Sequence, residues 1–520
     1  MRRFKSLDFI LCALSGTLFT ITFVIPYSGI LSWFLLIPFF VVIEDKKPQK
    51  ASLFGILTGT IINTLGSYWL AGTLSRFGGF PFPVSLLFLV LLSIYTGFSF
   101  GIFAYLATKL DLFNKKGLVS AIAISTLWTS IEFLYPFLFP YTIANPQAQY
   151  LPVIQISELF GIYSVSFLIV LINISIFRTI KWFLKMGVFP AVEVLFSFLL
   201  ILSTIIYGLL EIKREDSLIS NSPKIQIGMV QSNFDFFEKI EDNSRIISER
   251  HKYMSTNLKS PDLIVWPETA IQSWYSIHSD RLIDAGNVEI PTVNGAIFIA
   301  GGLSYETKDG NEANITDENL NKYNTAFLTD SKGYILDRYH KIKLLLFGEY
   351  LPLTDIFPSL QKLSPASGDF IPGNELNLFV VKEKGLRIAP LICYEDIIPS
   401  FSRKFAEKGA NLLVNITNDA WFGKTFAPYQ HLLVSIPRSV ETRLFLIRST
   451  NTGISAIIDP VGRVIEKTDI FKQTNLEGKV GIMNGQKTLY TRIGDIFPIA
   501  CLIFWVGFAV ITKLRGKYFS

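Results

Sequence analysis

The sequence predicts two parts of different class: a multi-span α-helical membrane domain and an α/β extramembrane domain. Three observations predict this. Half of the 520 residues are hydrophobic, and the mean hydropathy is +0.40. Charged residues make up only 17%, against about 25% in ordinary soluble domains. The apolar residues are also unevenly spread, with long runs at both ends of the chain and short ones between.

A helix that crosses a bilayer needs roughly 20 mainly apolar residues. The candidates are 8–25, 29–44, 51–72, 83–109, 117–139, 155–177, 189–211 and 495–513. The first is not read as a signal peptide, because no small-residue cleavage pattern follows and a second apolar run starts almost at once. The net charge of +6 does not point to nucleic acid, since the basic residues sit mostly beside apolar runs. Arg2, Arg3 and Lys5 precede the first run, and Lys46, Lys47 and Lys50 follow the second. Lys109, Lys115 and Lys116 follow the fourth, Arg178, Lys181 and Lys185 the sixth, and Lys513, Arg515 and Lys517 the last. The alternate loops hold almost nothing basic, with Arg76 the visible exception. This asymmetry predicts both termini in the cytoplasm and the block from about 214 to 490 outside it. In a bacterium with two membranes that is the periplasm. Few charges lie inside the runs, which argues against a transporter; Glu132 and Glu158 are the main ones, and Glu132 reads as a structural contact within the bundle more than as the lining of a lipid groove.

The expected division is 1–212 membrane domain, 213–223 linker, 224–490 extramembrane domain, and 491–520 terminal span with a short tail. In the third part, short runs rich in Ile and Val alternate with helix-compatible stretches. Ile225–Val230, Leu263–Val265, Ala296–Ala300, Ala326–Thr329, Leu386–Ile392 and Leu412–Ile416 read as buried strands of a layered α/β domain.

There are three cysteines, and Cys393 is the only one outside the apolar ends. No internal disulfide is expected in its domain. His251, His278, His340 and His431 are scattered, and no CxxC occurs, so no zinc site is expected.

Three segments place reactive side chains at or near apolar strand ends. Trp266-Pro267-Glu268-Thr269 puts a carboxylate where α/β domains build active sites. By itself Glu268 reads equally as the cap of a helix starting near Thr269. Tyr339 to Tyr350 carries Lys341 and Lys343 around an apolar patch ending in Gly348-Glu349. By itself it reads as a solvated basic turn, although a lysine near a nucleophile would stabilise an oxyanion. In Ile388 to Asp396 a strand runs straight into Cys393, with Tyr394, Glu395 and Asp396 behind it. A helix starting there would lower the thiol pKa; a lone buried Cys is otherwise a small hydrophobe. Asn418 to Gly423 reads as a lipid-facing rim or a packed turn.

These segments, in this order, resemble the nitrilase superfamily, and most closely its membrane-bound apolipoprotein N-acyltransferase branch. Trp266–Thr269, Tyr339–Glu349, Ile392–Glu395 and Asn418–Phe422 carry the likeness. Arg443, Asn451-Thr452-Gly453, Arg492, Gly494-Asp495 and the stretch from Gln155 to Asn173 extend it over nearly the whole chain. One position departs: Leu346 stands where the family usually has proline before Phe-Gly-Glu.

The resemblance implies a nitrilase-like αββα sandwich. It implies Cys393 as nucleophile, Glu268 as general base and Lys341 as oxyanion stabiliser. Glu349 and Glu395 would be supporting carboxylates that hold Lys341 or the thiol, with Tyr394, Trp421 and Arg443 shaping the pocket. Separately, the dense run of Leu, Phe, Ile and Pro between the polar candidates reads as a mobile lipid entrance, formed by the loops Leu344–Phe347, with Leu345 and Phe347, and Leu351–Leu363. The partners implied are a membrane phospholipid as acyl donor and a diacylated apolipoprotein as acceptor. No cofactor, metal or nucleic acid is implied. Two alternatives remain at this point: a membrane-anchored amidase or nitrile hydrolase with the same three residues, and a non-enzymatic membrane scaffold.

Overall fold

The structure is a computed structural model, described here for residues 4–235, 244–283, 290, 293, 295–312, 315–350, 369–484 and 487–518. The chain divides into a helical unit and a second unit formed by Glu215–Lys487 with the short segment Gly72–Pro81.

In the helical unit, Phe4–Val24, Phe82–Lys109, Ile162–Phe183 and Ala191–Asn221 are long and apolar enough to cross a membrane. A fifth span arises if Pro48–Gly66 and Trp69–Arg76, bent by 58°, count as one. These are the spans by length and composition among the described residues, and the shorter apolar helices Ser28–Ile43, Leu118–Leu134, Leu151–Phe160 and Ile496–Ile511 lie where others of the eight were expected. The second run breaks into a 3-10 turn, Ser28–Trp33, and a short helix, Ile37–Ile43. The fifth is helical over Leu118–Leu134, and the last apolar stretch lies in the helix Ile496–Tyr518. The sixth starts at Ile162, because Gly161 at φ 72° interrupts the run. The expected linker 213–223 is largely helical, since Ala191–Asn221 continues through it.

Small residues and one amide hold this unit. Gly55 and Gly59 face the helix Phe82–Lys109 so closely that a Cβ on Gly59 would lie 2.7 Å from the Cα of Gly97. That is the small-residue contact that lets membrane helices approach. The break after Trp33 frees backbone groups, and Asn173 takes them up. Its amide donates to Ser32 O (2.8 Å) and accepts from Leu36 N (3.0 Å). Irregular backbone among apolar helices is tolerated only when satisfied in this way. Glu132 accepts from Ile143 N (2.9 Å), a loop contact as expected for a packing role.

The second unit holds two sheets. The first runs from β1 (Lys224–Gln231) through β2 (Leu263–Val265), β3 (Trp274–Ser276), β4 (Ile297–Thr307) and β5 (Leu320–Thr329) to β6 (Ile335–His340). The second holds β7 (Phe379–Val381), β8 (Leu386–Ile392), β9 (Leu412–Thr417), β10 (Leu446–Thr450), β11 (Ala456–Ile458) and β12 (Val464–Lys467). A last strand, β13 (Thr474–Gly481), returns to pair with β1. The orders are β13-β1-β2-β4-β5-β6, with β3 beside β4, and β12-β11-β10-β9-β8-β7. All six strands read from the sequence are present.

The sheets meet face to face: Ser449 on β10 donates to the Val265 carbonyl of β2 at 3.0 Å. Helix Ser244–Thr256 covers the first sheet, and Pro399–Glu407 and Ala427–Thr442 cover the second. The result is the expected αββα sandwich. β8 and β9 are buried along their whole length except for Arg387, which is why they read as continuous apolar runs. Pro390 sits within β8 without cost, because β7 pairs only with Leu386–Ile388 and leaves that stretch free on its side.

Candidate active site

Parallel strands deliver the site residues at their C-terminal ends. β8 and β9 pair with Ile392 opposite Ile416, so Cys393 emerges beside Thr417. β10 pairs Thr450 with Thr417, which brings Asn451 beside Asn418. β2 ends at Val265, three residues before Glu268.

Glu268 lies in a turn pressed against β4. A Cβ at Gly301 would lie 2.5 Å from the Pro267 carbonyl and 2.7 Å from the Glu268 Cα, so only glycine admits this approach. No helix starts at Thr269, so the capping reading does not hold. Glu268 is 6% exposed. Its Oε1 accepts from Asn324 Nδ2 (2.7 Å) and lies 3.5 Å from Lys341 Nζ. Its Oε2 accepts from the Asn418 backbone N–H (3.0 Å).

Lys341 follows β6 and is 2% exposed, so the solvated-turn reading fails too. Its Nζ meets Glu349 Oε2 at 2.8 Å. Burial pushes its pKa down, but Glu349 and Glu268 outweigh that and leave it raised. Lys341 is a fixed cation.

Cys393 is held at φ 51°, a left-handed conformation that side chains rarely adopt. It opens a 3-10 turn, Cys393–Ile397, not the α-helix expected. The Asn415 amide donates to its carbonyl at 3.1 Å. Burial and the charge of Glu268 push the thiol pKa well above its ordinary value, against the pull of Lys341 and Thr417. This is the opposite of the lowered thiol pKa expected from a helix N-terminus, since a 3-10 turn and not an α-helix follows Cys393.

The supporting carboxylates differ in role. Glu349 does hold Lys341, and it also accepts from Asn324 Nδ2 (2.9 Å) and Leu345 N (2.8 Å). Glu395 holds neither the lysine side chain nor the thiol. Its Oε1 accepts from Tyr339 OH (2.7 Å), Ile342 N (2.8 Å) and Lys343 N (3.0 Å), and its Oε2 from Ile392 N (2.8 Å). It clasps the backbone beside Lys341 to the backbone beside Cys393. Burial pushes it up from 4.5 to about 7 in spite of those four donors.

Asn324 on β5 is the residue that sequence reasoning missed. One amide group serves both Glu268 and Glu349. A polar residue within a strand carries no periodic signal; its position just before the apolar run Ala326–Thr329 was the only hint.

Among the expected pocket residues, Tyr394 is partly buried, and burial and Tyr350 push its hydroxyl up to about 12. Trp421 lies in a packed turn. Its carbonyl accepts from Thr73 Oγ1 (2.9 Å), and its ring meets Phe77 edge-on at 5.3 Å between centroids. Arg443 is a buried αL residue ending the helix Ala427–Thr442, and it donates to Pro460 O (3.0 Å) with Glu215 4.0 Å away. These contacts brace the end of that helix. Leu345 and Phe347 flank the Lys341 loop, and Phe347 is 52% exposed at φ 65°. The segment Leu351–Leu363 lies outside the described residues.

Residues 228–480 match the carbon–nitrogen hydrolase family, and residues 15–175 match the apolipoprotein N-acyltransferase N-terminal domain. An apolipoprotein N-acyltransferase of Geobacter metallireducens is 33% identical over 98% of this chain and 95% of its own length. This chain belongs to the apolipoprotein N-acyltransferase family. A second relative of that name, from Bdellovibrio bacteriovorus, is 30% identical over 90% of this chain and 87% of its own. Saccharomyces cerevisiae Nit3, a nitrilase-superfamily structure, aligns with 51% of this chain and 92% of its own, at 16% identity and a TM-score of 0.35. Family membership makes the chain an acyltransferase of the carbon–nitrogen hydrolase type, with apolar helices that suit a membrane.

Proposed function

We propose that this chain moves an acyl group from a membrane phospholipid, through a thioester on Cys393, to the α-amine of a diacylglyceryl-cysteine that starts an apolipoprotein. The observation that carries the reading is the convergence of Glu268, Lys341 and Cys393 in a chain that also holds long apolar helices.

The roles follow from the electrostatics. A neutral thiol needs a base when it attacks, and the neighbouring carboxylate is Glu268. Lys341 keeps its proton, so it serves as charge and not as base. Cys393 Sγ bonds to the ester carbonyl carbon while Glu268 takes the thiol proton. The oxyanion is stabilised by Lys341, which costs no reorganisation because Glu349 already fixes it. Collapse breaks the ester bond, and the proton on Glu268 leaves with the lysophospholipid hydroxyl. The lipoprotein amine then attacks the thioester, passes a proton to Glu268, and departs as an amide while that proton returns to sulfur. The exposed Phe347 beside this loop suits a lipid entrance.

The proposed setting is the bacterial inner membrane, with the α/β unit in the periplasm and both termini cytoplasmic. Contacts within the helical unit support this orientation. Lys46 meets Asp8 (3.0 Å), Arg178 reaches the Lys115 carbonyl (2.9 Å), and Lys115 lies over the Phe508 ring. The basic loops expected on one side therefore gather at one end.

The test incubates the purified chain with labelled phospholipid and seeks an acyl adduct on Cys393 by mass spectrometry, with Cys393→Ala as control. An adduct discharged by a diacylated lipopeptide amine is the expected result. Discharge by water alone would make the chain a hydrolase, and absence of adduct would make it a scaffold.

A further inference from the structure

Helix Ala427–Thr442 packs behind the turn of the nucleophile and carries a histidine to which the mechanism above gives no part. His431 is buried. Its Nδ1 lies 2.9 Å from Asp419 Oδ1, and its Nε2 lies 3.1 Å from Asp396 Oδ1. Both aspartates are fully buried. Asp396 belongs to the turn that begins at Cys393. Asp419 directly follows Asn418, whose N–H holds Glu268. One imidazole thus touches the segment of the nucleophile and the segment of the base.

A neutral imidazole offers one N–H and one lone pair. In either tautomer, one carboxylate would face a lone pair at hydrogen-bond distance, away from water. Only the imidazolium donates to both. Charge balance agrees. The charged groups around the ring are Asp396 after β8, Asp419 after β9 and Arg448 on β10, and the Phe422 ring stands edge-on at 6.4 Å. Arg448 pairs with Asp396 and lies 3.8 Å from Asp419 Oδ2. Two carboxylates and one guanidinium leave one buried negative charge, which the imidazolium cancels; an uncompensated buried charge is costly. Burial and Arg448 push the imidazole pKa down, but the two carboxylates outweigh them and leave it raised.

We propose that His431 is held as an imidazolium that cross-links the Cys393 turn to the loop holding Glu268. It is a positioning residue for the transfer of the thiol proton, and this role rests on the assignment of Cys393 and Glu268 above. The same helix braces the turn a second time, where Arg438 donates to the Ile397 carbonyl at 3.4 Å. The imidazolium proton is not consumed in the reaction.

The chain has four histidines, so 15N-histidine labelling of the full chain in detergent micelles gives four pairs of ring-nitrogen signals. Glutamine variants of His251, His278 and His340 assign the fourth by elimination. Both His431 ring nitrogens are expected to be protonated at about pH 7, where an ordinary histidine is largely neutral. A neutral tautomer there overturns the proposal, whether or not Cys393 is the nucleophile.

The second arm measures single-turnover acylation of Cys393 by phospholipid. In His431→Gln both N–H groups sit on one nitrogen, so the amide cannot replace the two ring nitrogens and carries no charge. Its acylation rate constant, per folded protein, is expected to fall about a hundredfold, the scale of a roughly 1 Å misplacement. The phospholipid concentration for half-maximal rate should stay unchanged. A folded variant that acylates at the wild-type rate overturns the positioning role. Wild-type protein that forms no adduct would instead refute the assignment of Cys393, and the ring-nitrogen result would still stand. If the variant does not fold, the wild-type protonation state alone decides.

Discussion

In the helical unit, many buried hydroxyls donate to a carbonyl one turn back in their own helix. Thr58 donates to Phe54 O (2.9 Å), Ser125 to Ala121 O (3.0 Å) and Thr129 to Ser125 O (2.9 Å). In the α/β unit the buried polar groups form chains. Asn324 joins Glu268 to Glu349, Glu349 joins Lys341, and Glu395 joins the Lys341 loop to the Cys393 strand. The first arrangement lets any one group be lost with a local penalty. The second is cooperative: a partly satisfied network leaves buried charge exposed to low dielectric. Chemistry is expected where polar groups are connected, because moving a proton requires groups whose charges feel one another.

The sharpest way to break this contrast is to cut the network at a residue that does not react. Asn324→Leu removes the amide that holds both carboxylates while keeping similar bulk. Glu268 would lose that donor and keep the Asn418 N–H and a lysine 3.5 Å away. We expect Cys393 acylation to slow by about a hundredfold through misplacement of the base. Stability should fall by about 1–3 kcal/mol for the unpaired buried groups. Single-turnover acylation and a thermal melt measure both. A wild-type rate would show that Glu268 does not depend on the network.

The matching experiment in the helical unit is steric. Gly59→Leu would force a side chain into the space 2.7 Å from the Gly97 Cα. Overpacking of this kind costs about 1–3 kcal/mol. The melting midpoint should drop, yet the acylation rate of the folded fraction should hold. A rate that falls with stability intact would mean that the helix pair also shapes the site.

How much of this was legible follows the same line. The strands were legible because β8 and β9, buried on both faces, read as apolar runs. Glu268, Lys341 and Cys393 were legible as three short segments in one order. Their connections were not. Asn324 lies inside a strand with no periodic mark, and His431 reads as one of four scattered histidines. The contact of Arg443 with the Pro460 carbonyl was not legible either, because sequence order does not show which side chain ends a helix. The turn inside the second apolar run was not legible, because hydropathy does not see the break whose backbone groups Asn173 takes up.

The smallest effect expected is a pH dependence, and it separates network from site. Glu395 titrates near 7 in the folded chain, up from 4.5, because burial outweighs its donors. The folded state therefore holds a proton between those values that the unfolded state has released. Stability from this group falls as pH rises from about 4.5 to about 7, since the unfolded state binds fewer protons there. Glu395→Gln removes the titration but sets an amide group against either the Ile392 N–H or the three donors on the other side. The variant should be less stable at every pH and should show a flatter slope across that window. Thermal midpoints taken at intervals from about pH 4.5 to 7 measure the difference. Parallel slopes for the two proteins would mean that Glu395 stays ionised throughout, and that its clasp is electrostatically stronger than its burial.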